Sequence, residues 1–362
     1  MTDLAALHAR LDGIFEARDR DFPRRDPANT AAMRAALAEY VAALDALRPR
    51  PLVPEPGLVA EARGVAGRPV FVCGAMKSGT TLLLELLDAH PELVVLPGDS
   101  HMLDPRAQAR YHVASAAWWV PVLVNPRGQA PFWFLGASDA AYAAFVAWLE
   151  WWRAELPAGE PRSAFLAYVL ALHCANPRRA PRPRAWVEKT PGNELRVREL
   201  LAWYPRARFL HVVRDPLENL ASLKELFRQR GWRWKAWSAA THAWRLARAL
   251  AAGARAARSL GPSRWVVVRY EELAADPRAG MKRVADVLDL GWDECLVVPT
   301  VNGEPSQPNS MYRERLGVRG AVLPAVAGRW RTGLTAREAR VARVILAATA
   351  RRWGYAWASA AR

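Results

Sequence analysis

The chain has 362 residues, 52% of them hydrophobic, and its 51 Lys and Arg against 35 Asp and Glu give a net charge of +16. This composition is typical of a folded protein that is long enough to bury a core. No apolar run reaches the roughly 18 residues that a membrane helix needs. Charges throughout the first twenty residues argue against a secretory leader, so we expect a cytoplasmic protein with no integral membrane segment.

Cysteine and arginine usage narrow the function classes further. Cys73, Cys174 and Cys295 lie far apart without a CxxC pair, so neither a disulfide framework nor a zinc site is indicated. The arginines are spread along the chain, a pattern that speaks to solubility and nonspecific contact as much as to nucleic acid. A basic cleft for a small polyanion explains part of this charge, and we predict no nucleic-acid partner.

Residues 1–56 are predicted to form a helical extension and a linker. Apolar side chains recur at helical spacing from Leu4 to Phe15, and an alanine-rich second helix starts near Asp26. Prolines at positions 49, 51, 54 and 56 predict an extended linker into the first strand.

A strand, a loop of small residues and a helix follow this linker. The apolar run Val70–Cys73 predicts a buried strand, and the leucine-rich stretch after Thr81 predicts a helix that faces a core. Between them, the loop from Gly74 to Thr81 brings hydroxyls and backbone N–H groups to the helix N-terminus. Unpaired N–H groups and the positive end of the helix dipole make such a terminus an anion site.

The loop departs in one position from the loop that binds nucleoside triphosphates. Gly74 and Gly79 keep the glycine spacing of that loop, but Thr80 stands where it has lysine, and the only lysine is the earlier Lys77. A P-loop kinase or NTPase is therefore one alternative function. A non-catalytic basic module that binds nucleotides or nucleic acid is another.

Four further strands are predicted, each followed by polar or charged residues. Leu93–Leu96 leads to Asp99 and His101, Ala185–Glu188 to Lys189, and Arg208–Val213 to Arg214. The stretch Trp265–Leu273 is another strand end, and it carries Tyr270. Because ligands collect at the carboxyl ends of strands in open α/β sheets, we expect these residues to share one crevice. The predicted fold is α/β, a single P-loop-like three-layer domain over 1–362 with a mainly parallel central sheet and helical additions.

The loop and the fourth strand end resemble those of a known family. Lys77-Ser78-Gly79-Thr80-Thr81 is similar to the 5′-phosphosulfate loop of sulfotransferases that use 3′-phosphoadenosine 5′-phosphosulfate (PAPS). Arg214, with Ser222 eight residues later, resembles the 3′-phosphate site of that family. The resemblance is to the tyrosylprotein-type branch and related bacterial enzymes. It implies PAPS as the donor, 3′-phosphoadenosine 5′-phosphate as the product, and no metal.

The same resemblance implies roles for two other strand ends. Lys189-Thr190-Pro191 is similar to a motif whose lysine neutralises charge on the transferring sulfuryl group. A salt bridge from Lys189 to Glu188 or Glu194 is the structural alternative. Tyr270 matches a tyrosine that lies near the nucleoside of the cofactor, and a packed residue at the edge of the sheet is the structural alternative.

A general base is needed because transfer to an alcohol requires that the acceptor's proton leave. The family places its base in the region of Asp99 and His101, and we expect one of these two residues to hold the role. His112 and Glu188 are the reserve candidates.

The C-terminal loop 306–334 is expected to close the cofactor site, as a basic, glycine-containing segment does in the family. Arg319 and Arg329 are the candidates for a 3′-phosphate contact. After this loop, the capping box from Thr335 to Glu338 predicts the start of the final helix.

Tryptophan-rich segments are interpreted mainly as packing. Residues 102–184 carry no parallel-strand signal and predict a helical insertion packed on the sheet, although its tryptophans as a set would also suit a hydrophobic acceptor pocket. The stretch from Arg228 to Arg258 predicts one long helical region that covers the sheet with Trp232, Trp234, Trp237 and Trp244. The acceptor is not identified, and a hydrophobic or aromatic small molecule is preferred.

Overall fold

Five parallel strands form the central sheet of the computed structural model, which describes residues 3–20, 27–48, 51–104, 119–120, 123–124, 133–136, 138–308, 317–355 and 357. The strands lie in the order β2-β3-β1-β4-β5. The five predicted strands are confirmed. Their bounds are β1 (Pro69–Cys73), β2 (Leu93–Asp99), β3 (Ala185–Lys189), β4 (Arg208–Val213) and β5 (Trp265–Arg269).

Helices connect and cover these strands, and none in the described part is long and apolar enough to cross a membrane. They are α1 (Leu4–Arg20), α2 (Pro27–Leu47), α3 (Pro56–Val65), α4 (Thr80–Leu87), α5 (Asp139–Glu155), α6 (Pro161–Ala175), α7 (Val197–Trp203), α8 (Pro216–Gln229), α9 (Ser238–Leu260), α10 (Tyr270–Ala275), α11 (Pro277–Leu288), α12 (Trp330–Gly333) and α13 (Ala336–Arg352). A short hairpin of β6 (Thr300–Val301) and β7 (Glu304–Pro305) was not predicted.

Alternation along the central strand explains the layered architecture. Phe71 and Cys73 face one hydrophobic cluster, and Val70 and Val72 face another on the opposite side of the sheet. All four side chains are almost completely buried. A strand buried on both faces needs helical cover on each side, as parallel sheets have, so the predicted three-layer α/β fold is confirmed.

The N-terminal helical pair is confirmed, but the linker after it is only partly extended. α1 and α2 pack against each other, and α2 also packs on α5. Pro56 does not belong to an extended segment, because it begins α3. A proline fits the first helical position, where its missing N–H would have no partner in any case. That the whole chain forms one domain stays a prediction.

The tryptophans of the insertion pack in the core. α5 and α6 lie against each other, and Trp148 and Trp152 belong to the main hydrophobic cluster with Trp119. The packing interpretation is therefore confirmed for the described part of 102–184. Trp118 lies outside the described residues.

The prediction of one helical region from Arg228 to Arg258 is wrong in its middle. α8 ends at Gln229 and α9 begins at Ser238. Gly231 has a φ of 64°, the left-handed conformation with which glycine commonly terminates a helix. Trp232, Trp237 and Trp244 are 49%, 63% and 54% exposed and do not cover the sheet. Trp234 packs against a hydrophobic cluster that includes residues of α8, α9 and α13.

α9 approaches the sheet closely at one glycine. His211 of β4 is buried, and its ring lies beside Trp265 and Trp353. A Cβ atom on Gly253 would lie 2.1 Å from His211 Cε1. Burial lowers the pKa of His211 to about 3, so the ring stays neutral at ordinary pH.

We predict that Gly253→Ala lowers the free energy of unfolding by about 1–3 kcal/mol, because the methyl group overlaps the His211 ring and forces helix and strand apart. Urea denaturation measures the change. Gly13→Ala is the matched control, since Gly13 lies within α1 and a Cβ atom there would have no neighbour within 4 Å. Equal stability of the two variants would contradict the close approach.

Candidate active site

The carboxyl ends of the five parallel strands bring the predicted residues to one edge of the sheet. Asp99 is the last residue of β2 and Lys189 the last of β3. The phosphate loop, which we define as residues 74–79, follows β1, whereas Arg214 and Tyr270 follow β4 and β5. Across the edge the order is therefore Asp99, Lys189, phosphate loop, Arg214 and Tyr270.

The start of the phosphate loop is held by a buried carboxylate. The backbone N–H of Gly74 donates to Glu194 Oε2 at 2.9 Å, and the N–H of Gly192 donates to the carbonyl of Gly74. Glu194 is buried, and burial raises its pKa. This residue positions the loop by backbone contacts and does not pair with Lys189.

The end of the loop lies against an aromatic ring that also carries an arginine. Gly79 has a φ of 106° and stands directly before α4. A Cβ atom on Gly79 would lie 2.3 Å from Tyr270 Cδ2, so only glycine fits. The guanidinium of Arg214 lies 4.6 Å from the centre of the Tyr270 ring and donates to the carbonyl of Lys77 at 3.0 Å. Gly79, Tyr270 and Arg214 thus form one packed unit.

The charges around the loop suit an anion. Burial lowers the pKa of Lys77 to about 8, and the neighbouring charges of Arg214, Lys189 and Arg230 act in the same direction. Ser78 is buried, and its Oγ has no hydrogen-bond partner among the described residues. Since a buried hydroxyl normally has a partner, the cations, this hydroxyl and the α4 N-terminus together fit a phosphate or sulfate group.

Lys189 pairs with neither carboxylate expected of it. Its Nζ forms an ion pair with Asp99 on the neighbouring strand and lies 3.3 Å from Thr81 Oγ1. Lys189 is buried, whereas Asp99 is exposed at the rim. Lys189 thus connects Thr81, in the first turn of α4, to the exposed Asp99.

Glu188 is fully engaged in holding the same edge. It is completely buried and accepts hydrogen bonds from Ser100 Oγ and Thr190 Oγ1 at 2.6 Å and from Asn193 Nδ2 at 2.7 Å. Burial raises its pKa, and the three donors oppose that shift. With three protein donors on one carboxylate, Glu188 acts as a positioning residue.

His101 contacts this edge through its backbone. Its N–H donates to Thr190 Oγ1 at 2.9 Å, and its φ of 52° is left-handed. The imidazole is exposed. His112 lies outside the described residues.

Arg214 and Ser222 lie on the other side of the loop. Asp215 caps α8 by accepting from Leu217 and Glu218 N–H groups, and Pro216 begins the helix, as predicted. Ser222 is buried less than two turns further on. Arg214 stands two residues before α8 and Ser222 lies within the helix. Their shared role at a 3′-phosphate stays a prediction.

Part of the C-terminal segment lies alongside α8, next to the turn that carries Ser222. The N–H of Gly328 donates to Glu218 Oε1 at 2.6 Å. Arg329 lines a cavity of about 590 Å³ together with Ala221 and Lys224 of α8. The segment therefore lies along the helix that carries Ser222, and the capping box at the start of α13 is confirmed.

Arg319 lies on the opposite side, near α4. Its neighbour Gly320 donates to the carbonyl of Ser306, and Ser306 Oγ donates to Glu85 of α4 at 2.7 Å. The Arg319 side chain is exposed. The two candidate arginines therefore occupy different sides of the crevice.

Two contributors to the site were not assigned these roles from the sequence. Glu194 binds the phosphate loop from 120 residues away along the chain, and Arg230 influences Lys77 from the far end of α8. No local pattern marks either residue. Among the described residues, no group of three His, Cys, Asp or Glu is placed to hold a metal ion.

Comparison with known proteins gives a consistent result. A model of the sulfotransferase family matches residues 69–294. A protein-tyrosine sulfotransferase A from Caenorhabditis elegans is 25% identical over 62% of this chain and 50% of its own length. An omega-hydroxy-beta-dihydromenaquinone-9 sulfotransferase from Mycobacterium bovis is 27% identical over 64% of this chain and 65% of its own length. The chain thus spans about half to two thirds of the curated relatives it matches.

Solved structures give weaker likenesses. The sulfotransferase domain of the Synechococcus PCC 7002 olefin synthase has a TM-score of 0.48 at 21% identity, over 76% of this chain and 94% of that one. A sulfotransferase from Mycobacterium avium has a TM-score of 0.47 at 17% identity, over 96% and 91%. These scores do not bear on the assignment. The family match covers well over half of the chain, including the phosphate loop, Lys189 and Arg214, and the chain belongs to the sulfotransferase family.

Proposed function

We propose that this protein transfers the sulfuryl group of PAPS to a hydroxyl of an acceptor molecule. The observation that carries the proposal is the set of cations at one edge of the sheet, with Lys77, Lys189 and Arg214 around a helix N-terminus. When bound, PAPS supplies the sulfuryl group and leaves as 3′-phosphoadenosine 5′-phosphate. The alternative kinase or NTPase is not favoured, because Thr80 replaces the lysine that reads β- and γ-phosphates.

The phosphate loop would hold the 5′-phosphosulfate. Ser78 Oγ, the N–H groups of Gly79, Thr80 and Thr81, and the Lys77 ammonium are the donors available there. Such fixed donors stabilise developing charge because they need no reorganisation during reaction. Lys77 offsets charge on the leaving oxygen, and Lys189 steadies the sulfuryl oxygens from the next strand.

Arg214 and Ser222 would hold the 3′-phosphate and so distinguish PAPS from ATP. A guanidinium offers two parallel donors to a phosphate, and the Tyr270 ring fixes its plane. Tyr270 borders the nucleoside side of the loop. Arg329 lies beside the same helix and is the better placed of the two C-terminal arginines, whereas Arg319 approaches from the α4 side.

Asp99 is the base that the geometry favours. Its carboxylate contacts Lys189, which in turn contacts Thr81, so it adjoins the reacting group. Among the described residues, His101 forms its hydrogen bonds through backbone atoms, to Thr190 and Asp104. An exposed carboxylate at the rim can take a proton from an alcohol and pass it to water.

The acceptor class is left open by the site. The two curated relatives are named for a protein tyrosine and for an omega-hydroxylated menaquinone derivative, so a hydroxyl is the group their names share. We propose a hydroxyl-bearing acceptor for this chain on that basis. Its cytoplasmic location also stays a prediction.

The first test is cofactor selectivity. We expect micromolar binding of 3′-phosphoadenosine 5′-phosphate in titration calorimetry, with 5′-AMP and ATP bound at least about tenfold more weakly, because Arg214 gains a charge-assisted bond only from the 3′-phosphate. Arg214→Ala should remove this preference, and Arg337→Ala, an exposed arginine on α13, should keep it. Equal or tighter ATP binding that is indifferent to Arg214 would overturn the proposed function.

A second prediction follows from the lowered pKa of Lys77. Bisphosphate binding requires the charged ammonium, and this group loses its proton as the pH rises through about 8. We expect the Kd to be constant from pH 7 to 7.5 and to rise by up to about tenfold per pH unit above 8. Lys77→Arg keeps its charge over this range, so its Kd should stay flat. A natural protein whose Kd does not change up to pH 9.5 contradicts the shift.

A third prediction separates the two candidate bases. Asp99→Asn should lower kcat by about 100-fold or more, the contribution typical of a general base, while the Kd for 3′-phosphoadenosine 5′-phosphate stays within a few-fold. His101→Gln should keep most of the rate. Transfer of label from [³⁵S]PAPS to a panel of phenols, tyrosyl peptides and long-chain alcohols measures both. A slow His101→Gln with a fast Asp99→Asn would reverse the assignment.

A further inference from the structure

The outer face of α9 and the loop before it combine exposed tryptophans with an excess of positive charge. From residue 226 to residue 270 the sequence has ten Arg and Lys residues and no Asp or Glu. Trp237, at the N-cap of α9, is 63% exposed and Trp244 is 54% exposed. Large aromatic side chains normally bury most of their area, so two such rings on one helix face indicate a partner.

These residues lie on one stripe of the helix. Trp237, Trp244, Arg248 and Arg255 follow each other at spacings of seven, four and seven, which keeps them on one face. The stripe is about 27 Å long at 1.5 Å per residue. We name this stripe, with the adjacent Lys235 and Arg245, the tryptophan–arginine face.

Each exposed ring of this face carries a cation. Lys235 Nζ lies 5.1 Å from the centre of the Trp237 ring, and the Arg248 guanidinium lies 4.8 Å from that of Trp244. The opposite side of α9 packs in a hydrophobic cluster through Leu246 and Leu250. The helix is thus anchored inward, while amphipathic rings and charges point outward.

We propose that the tryptophan–arginine face adsorbs to a membrane surface that contains anionic phospholipids. Tryptophan rings favour the level of the lipid headgroups, and each Lys or Arg near an anionic surface adds to the attraction. The inner side of α9 is already buried in protein, so the helix would lie on the surface with only its rings among the headgroups.

Two other partners fit this face less well. Proteins that bind single-stranded nucleic acid combine a basic groove with aromatic rings that stack on the bases, whereas here Trp237 and Trp244 lie on the outer surface of one helix and each already has a cation over one ring face. A second copy of the chain would bring the same positive stripe against itself. A lipid surface needs only the ring edges and the charges.

The loop that precedes this face starts close to the proposed reaction site. The loop between α8 and α9 begins at Arg230, whose charge acts on Lys77 in the phosphate loop. Trp232, in this loop, is a further exposed tryptophan. A lipid-associated acceptor would thus meet the crevice from this side, but the membrane proposal does not require sulfuryl transfer.

Co-sedimentation with large vesicles tests the proposal directly. The natural protein should bind vesicles of phosphatidylcholine with about 30 mol% phosphatidylglycerol, bind pure phosphatidylcholine much more weakly, and be released by about 0.5 M NaCl. The double variants Trp237→Ala/Trp244→Ala and Arg245→Ala/Arg248→Ala should each bind at least about tenfold more weakly. Thermal melting and the affinity for 3′-phosphoadenosine 5′-phosphate should stay unchanged.

Matched controls exist elsewhere on the surface. Trp292 is exposed and carries Arg278 and Lys282 over its ring, but it lies beside Asp293 and Glu294. Trp292→Ala, and Arg337→Ala/Arg340→Ala on α13, should bind vesicles like the natural protein. The proposal is overturned if the natural protein ignores anionic vesicles, if the face variants bind as well as the controls, or if a single-stranded oligonucleotide alone is bound through this face.

Discussion

Electrostatic repulsion at one edge of the sheet is the constraint on which the site depends. Lys77, Lys189 and Arg214 are gathered there by three adjacent strand ends. Burial is the main cause of the lowered pKa of Lys77, and repulsion from Arg214 and Lys189 lowers that pKa further. Asp99 offsets one of these charges and the Tyr270 ring faces another. The remaining charge is balanced when an anion binds, so the folded state is prepared for a ligand at some electrostatic cost to itself.

Buried carboxylates hold this arrangement through hydrogen bonds. Glu194 binds the backbone of the phosphate loop. Glu188 connects the end of β2 to β3 through Ser100 and holds the segment after β3 through Thr190 and Asn193. Both carboxylates are buried, so each needs donors to offset the loss of water. Loss of either carboxylate would therefore shift the strand ends and the loop that carry the cations.

The positive charge of the protein is arranged in two physically different ways. In the crevice the cations are partly desolvated and converge on a single helix N-terminus, which favours one compact, highly charged ligand. On the tryptophan–arginine face they are solvated and spread along about 27 Å of helix surface, which favours an extended partner. The high net charge of the chain is therefore the sum of at least two separate groups of cations in different environments.

The local units of the site can be predicted from the amino-acid sequence alone. The strand periods, the loop that starts at Gly74 and the Asp215 cap depend on neighbours a few residues apart, and the structure has them as predicted. The loop is shorter than predicted, because α4 begins at Thr80. Which of these units meet is a matter of tertiary packing. The order of the strands places Asp99 beside Lys189, which therefore pairs with neither Glu188 nor Glu194. The helical region predicted from Arg228 to Arg258 is broken at Gly231, and three of its four tryptophans face solvent. Strand order and long-range pairing depend on how whole surfaces pack, and no local pattern of residues encodes them.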